Sequence, residues 1–177
     1  MLKGYTGKVL RVNLTTRSVR EETIPQKDYE MLLGGRGIAA KYYYNEIPAG
    51  ADPLSEANKL FFMTGPLTGT PLVSTTKFQL STKSPETRMY LCSNCGGDFG
   101  PQLKQAGYDG LFIEGKASDW TYLSIVDGKV SFGDARPWKG WTSVKTLEAL
   151  REAIGEKKAG AMSIGPAAEK LVRFSYI

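Results

Sequence analysis

The chain has 177 residues, 41% of them hydrophobic and 23% charged, enough for one domain-sized core. It holds no apolar run near the roughly 20 residues a membrane span needs. Its 23 Lys and Arg against 18 Asp and Glu give a net charge of +5. The two signs are interspersed, as in "REAIGEKK" and "RSVREE", which describes a solvated surface and no nucleic-acid stripe. Histidine is absent, which removes Ser-His and Cys-His catalysis and the commonest metal ligand together. The opening "MLKGYTGKVL" lacks the apolar stretch of a signal peptide, so a cytoplasmic location is expected, with neither membrane nor nucleic acid as partner.

In chain order, residues 8–24 set Leu10, Val12 and Leu14 against Arg11 and Asn13 and turn at "TTRS", a half-buried hairpin. Asp28 is placed to cap a short helix ending at Gly34-Gly35. "RGIAAKYYYNEI" reads as a second helix, with the tyrosines at 42–44 as packing residues. A buried strand over Leu60–Thr64 breaks at Gly65-Pro66, and "TTKFQLSTKSP" and "RMYLC" are two more strands joined around Pro85. A short helix follows, with Asp98 as N-cap, Phe99, Leu103 and Ala106 on one face, and Gly107 as its stop.

"GLFIEGKA" is the next strand, and Asp127-Gly128 marks a hairpin within "WTYLSIVDGKVSFGDA". Residues 143–154 form an amphipathic helix, capped by Ser143, with Val144, Leu147, Leu150 and Ile154 along one face. "AGAMSIG" and "LVRFSYI" are expected as two closing strands. Ending on an apolar strand suggests a fragment of a longer protein. Strands and helices in mixed order, with hairpins predominant, predict an α+β fold.

The stretch "CSNCGGDFG" (92–100) contains both cysteines of the chain. Two Cys and no His cannot complete a structural zinc cage or a thiolate-held iron–sulfur cluster. A C-x-x-C before a helix can be a redox dithiol. A plainer reading makes Cys92 a small buried strand residue and Cys95 an incidental thiol. A third reading uses the glycines: Gly96 and Gly97 let backbone N–H groups approach an anion at a helix N-terminus, with Lys77, Lys83, Arg88 and Lys104 as cations. The same glycines also suit a tight strand-to-helix turn.

Several segments in this order, "GGRGIAA", "NKLFFMTGPLTGT", "STKSP", "CSNCGGDFGPQLKQAGYDGLFIEGKA" and "SIGPAAEKLVRFSYI", resemble the N-terminal domain of the aldehyde ferredoxin oxidoreductase family. The resemblance runs from Leu2 to Ile177. It implies anaerobic, cytoplasmic enzymes that oxidise aldehydes to carboxylic acids at a tungsten, or sometimes molybdenum, held by two pterin dithiolenes. Electrons then pass through a 4Fe-4S cluster to ferredoxin.

It further implies a fold of two packed, mostly antiparallel β-sheets with flanking helices, on which the tungstopterin lies. Residues 1–177 would be that single cofactor-base domain. The implied cofactor-binding residues are Lys77, Asn94, Cys95 and Gly96, with the Asn94 backbone carbonyl on a magnesium that bridges the pterin phosphates. Lys77 stands where some members have Arg, keeping the charge but losing the bidentate fork. The second pterin loop and the cluster cysteines belong to later parts of the family's chain, and Cys92 and Cys95 do not match the cluster ligands. The expected partners are therefore the remaining C-terminal domains, ferredoxin and a second copy in a homodimer, and the isolated chain is expected to be inactive. The alternatives are a stand-alone scaffold for another anionic ligand and a small dithiol redox protein.

Overall fold

The computed structural model describes residues 2–177; Met1, the first residue of the predicted domain, lies outside them. The strands are β1 (Lys8–Asn13), β2 (Ser18–Thr23), β3 (Leu60–Thr64), β4 (Phe78–Lys83), β5 (Tyr90–Cys95), β6 (Gly110–Glu114), β7 (Thr121–Val126) and β8 (Lys129–Asp134). The helices are α1 (Gln26–Leu32), α2 (Gly35–Glu46), α3 (Phe99–Gln105), α4 (Ser143–Ile154) and α5 (Pro166–Glu169). Among the described residues no helix is long and apolar enough to cross a membrane.

Six strands form one mixed sheet in the order β2-β1-β6-β3-β4-β5, and β7 and β8 form a separate hairpin. Only β1 and β6 pair in parallel; the other neighbours are antiparallel. Because side chains alternate across a strand, each central strand feeds two cores. Val9, Phe61, Met63 and Phe112 meet Tyr29, Ile38 and Ala39 of α1 and α2 on one face. Leu10, Val12, Phe62, Phe78 and Leu111 meet Leu103 of α3 and the hairpin residues Leu123, Ile125, Val130 and Phe132 on the other. The fold is thus α+β, with the six-stranded sheet packed against the hairpin and flanked by helices, as expected.

Two buried charge clusters tie the layers. Arg11, 3% exposed, hydrogen-bonds Glu22 on β2, Glu46 at the end of α2 and Glu114 on β6. Asp109, 1% exposed, accepts from the Thr6 and Gly7 amides, the Tyr29 hydroxyl and the Lys104 ammonium. These bonds fasten the N-terminal segment, α1 and α3 to the edge of β6.

The structure departs from several sequence expectations. Asp28 does not cap α1: Pro25 occupies that position, and Asp28 lies inside the helix, buried and bonded to Lys41 at 2.6 Å. Thr142, one residue earlier than expected, caps α4 by accepting from the Lys145 amide. Asp98 stands at the start of α3 but makes no side-chain cap bond. Tyr44 is 84% exposed, unlike Tyr42 and Tyr43, which pack against the first core. Val144 is likewise exposed, while Leu150 and Ile154 face inward.

The two closing strands do not form. Residues 159–164 run beside α3 and α4 without a strand partner, and the last segment turns at Leu171 (φ 58°) instead of extending. Met162, Ile164 and Ile177 line an apolar cavity of about 480 Å³ between the sheet, the hairpin and α4, whereas Leu171, Phe174 and Tyr176 are exposed. An apolar pattern does not by itself make a strand, which also needs a neighbour's backbone to complete its ladder.

Candidate functional site

The C-x-x-C segment forms the end of β5, the edge strand of the large sheet. Its register against β4 is Phe78↔Cys95 and Gln79↔Asn94, which places Lys77 opposite Gly96 one step further out. Strand alternation then puts Lys77, Asn94 and Gly96 on one face and Cys95 on the other. All four residues are exposed and adjoin one another at a single corner of the sheet. The Cys95 side chain looks toward α4, where it lines a small recess with Val144 and Leu147.

The corner is built from buried polar contacts behind it. Gln79, 5% exposed, donates its Nε2 to the Ser93 carbonyl at 2.6 Å, fixing β5 immediately before Asn94. The Thr68 hydroxyl donates to the Lys77 carbonyl at 2.9 Å and accepts from the Gly65 amide at 3.1 Å. Lys77 is therefore held by its backbone while its side chain remains in solvent. Sequence reasoning missed Thr68 and Gln79; their buried hydroxyl and amide carry no spacing signal that would reveal the partners.

The glycines divide into separate roles. Gly97 has a φ of +88°, which makes it the turn residue that an L side chain would strain. Gly100 packs α3 closely on the loop before β4, since a Cβ there would stand 2.9 Å from the Thr76 carbonyl oxygen. Gly96 does neither. Its φ is not positive, and an added Cβ would meet only the Thr76 hydroxyl, at an ordinary 3.7 Å. Nothing within the described residues requires glycine at position 96.

Of the four cations named from the sequence, only Lys77 stands at this corner. Lys83 lies at the opposite end of β4, buried, with its ammonium on the Ala49 carbonyl at 2.7 Å. Arg88 belongs to the turn at that far end, and Lys104 is engaged by Asp109 and the Gly4 carbonyl. The expected helix-dipole contribution is also weak, because α3 has only seven residues.

Cys92 and Cys95 are free thiols, the first half-buried and the second exposed. Cys92 is thus less enclosed than a core strand residue. Three strand residues apart, the two Cα atoms stand about 10 Å from each other with their side chains on opposite faces. A disulfide needs Cα atoms within about 7 Å, so the dithiol cannot close in this fold. The corner offers instead exposed backbone, one ammonium and a glycine whose surroundings would accept a side chain.

The family model for the aldehyde ferredoxin oxidoreductase N-terminal domain matches residues 9–177. The chain belongs to the aldehyde ferredoxin oxidoreductase family. It is 43% identical over 174 residues to the tungsten-containing aldehyde ferredoxin oxidoreductase of Pyrococcus abyssi, covering 98% of this chain and 29% of the relative. The protein of the same name from Pyrococcus furiosus is 38% identical over the same shares. A further relative is the WOR-like subunit of an aliphatic sulfonate oxidoreductase from Pyrococcus furiosus, 32% identical over 189 residues, covering 98% of this chain and 30% of the relative.

Among solved structures, the active-site complex BamBC of benzoyl coenzyme A reductase, with 1,5-dienoyl-CoA, superposes with a TM-score of 0.92 at 37% identity. That match covers 96% of this chain and 26% of the other. The chain therefore spans under a third of the length of these relatives, and this stretch of the family is one domain of a larger protein.

Proposed function

We propose that residues 1–177 form the base on which the tungstopterin of an aldehyde-oxidising enzyme lies, with the β4–β5 corner as its seat. Lys77 supplies a cation for a pterin phosphate. The backbone from Asn94 through Cys95 to Gly96 would supply polar groups at close range, with the Asn94 carbonyl as the oxygen that would hold a magnesium at the pterin phosphates. The bound metal and its dithiolenes would carry the redox chemistry of converting an aldehyde to a carboxylic acid, while the protein binds and orients them.

The residues on this face fit such a group. They are exposed, they lie together, and they include one cation and one glycine whose missing side chain leaves room. The catalytic remainder belongs to the rest of the enzyme: a second pterin loop, the 4Fe-4S cluster, the route to ferredoxin as electron acceptor and any homodimer contact. Within this proposal the enzyme is cytoplasmic, and the 177-residue chain alone is inactive.

One observation carries the reading: Gly96 is glycine although its own fold would accept a side chain. The test is Gly96→Val in the full-length enzyme, with tungsten content and melting temperature measured on one preparation. A seat predicts loss of tungsten with stability changed by no more than about 0.5 kcal/mol, as for an exposed substitution. Full tungsten loading in this variant overturns the proposal.

A further inference from the structure

Behind the proposed seat lies a side-chain clamp. The side chain of Gln102, on α3, bonds the 158–160 segment at both of its polar atoms. Its Nε2 donates to the Lys158 carbonyl at 2.7 Å, and its Oε1 accepts from the Gly160 amide. The same segment is tied to α4 from the other side, where Arg151 Nε donates to the Ala159 carbonyl at 2.9 Å.

Gly160 lies directly on the peptide that opens α3. A Cβ at position 160 would stand 2.8 Å from the Phe99 nitrogen and 2.9 Å from the Asp98 carbonyl carbon. On its other side the first turn of α3 meets the loop before β4, through the close approach of Gly100 to the Thr76 carbonyl. The Asp98–Gly100 backbone is thus gripped from two directions, immediately after a turn whose hinge is Gly97, at φ +88°. A turn of that kind has little local reason to hold a single geometry; the grip provides one.

We propose that Gln102 and Gly160 are positioning residues for the cofactor seat. By fixing the start of α3 against residues 158–160, they hold the Asn94–Gly97 backbone in the form that receives the pterin. This rests on the reading of the β4–β5 corner as the seat. It also gives the 158–160 segment, which has no strand partner, a defined role, that of coupling α4 to the cofactor face.

The test uses the full-length enzyme, with Gln102→Leu, Gln102→Glu and Gly160→Ala. Hydrogen exchange is read on metal-free protein, and tungsten per polypeptide on protein matured in the presence of tungstate. Gln102→Leu is expected to speed exchange about five-fold at the amide of residue 102, which closes the first turn of α3 on the Asp98 carbonyl, the consequence of losing side-chain hydrogen bonds of ordinary strength, while the amides of β1 and β6 keep their rates. Tungsten content should fall about ten-fold, as when a supporting residue behind a metal site is lost. Gln102→Glu retains the acceptor for the Gly160 amide and should recover part of the loading. Gly160→Ala makes the same test from the opposite side of the contact.

A purely structural role would lower the melting temperature and leave tungsten content unchanged; that result overturns the proposal. Faster exchange with full loading overturns it as well. Gly96→Val serves as the reference. If it fails to load while Gln102→Leu loads fully, the clamp is wrong and the seat stands; if both load fully, both are wrong.

Discussion

The hydroxyl of Thr68 donates to the backbone carbonyl of Lys77, nine positions on, at 2.9 Å, and simultaneously accepts from the Gly65 amide. It thereby joins the break after β3 to the start of β4 and sets where the Lys77 side chain leaves the sheet. Thr68→Val keeps the shape and removes both bonds, leaving a donor and an acceptor unpaired in a partly buried loop. The expected loss is about 1–2 kcal/mol in a urea titration. Thr68→Ser, which retains the hydroxyl, should recover most of it, and an equal loss in the two variants would show that packing of the methyl group dominates instead.

Asp109 makes the fold sensitive to acid. Burial alone would raise its pKa, but the hydrogen bonds from Lys104, Tyr29 and the Thr6 amide outweigh burial and hold it below the ordinary 3.8. A carboxylate depressed in the folded state contributes stability that is present above its unfolded pKa and is lost as pH falls through the folded one. Stability should therefore decline as pH drops below 3.8, and Asp109→Asn should flatten that part of the profile. At neutral pH the variant leaves the Lys104 ammonium with the Gly4 carbonyl but no counter-charge, at an expected cost of about 3–5 kcal/mol. Denaturant titrations of both proteins across the acid range check both the sign and the size. A steeper acid decline in the variant would contradict the assignment.

The thiols offer a direct check on the strand register. Cys95 is exposed and Cys92 only half-buried, so a thiol reagent should modify Cys95 first in the folded protein. The fast phase should disappear in Cys95→Ser. Under a mild oxidant the folded protein should form no Cys92–Cys95 disulfide, since the two side chains leave opposite faces of β5. Peptide mass spectrometry reads this outcome, and an intramolecular bridge formed without unfolding would show the register to be wrong.

Much of the local structure was legible in the sequence. Asp127 and Gly128 take up positive φ values of 48° and 75°, the form that a two-residue hairpin turn demands, and only a few residue types adopt it readily. Gly155 closes α4 in the left-handed conformation at φ 74° for the same kind of local reason. The ordered segments from "GGRGIAA" to "SIGPAAEKLVRFSYI" carried the family, and with it the candidate residues Lys77, Asn94, Cys95 and Gly96.

What the tertiary structure alone decided concerns distance and direction. The insertion of β6 between β1 and β3, parallel to one and antiparallel to the other, brings distant pairs such as Val9 with Gly110 and Leu60 with Ile113 into register. No period-2 pattern specifies its neighbour. The segments 159–165 and 171–177 read like strands, yet neither finds a ladder: Met162, Ile164 and Ile177 line a cavity while Leu171, Phe174 and Tyr176 stand exposed, because an apolar pattern names no neighbouring backbone. Lys77, Lys83, Arg88 and Lys104 look equivalent in the sequence, but β4 is long enough to carry the second and third to the far end of the sheet, and Asp109 claims the fourth. Gly96 and Gly97 are adjacent identical letters. Only the backbone angle separates them: Gly97 turns the chain at φ +88°, while Gly96 lies outside that region and its surroundings would accept a Cβ.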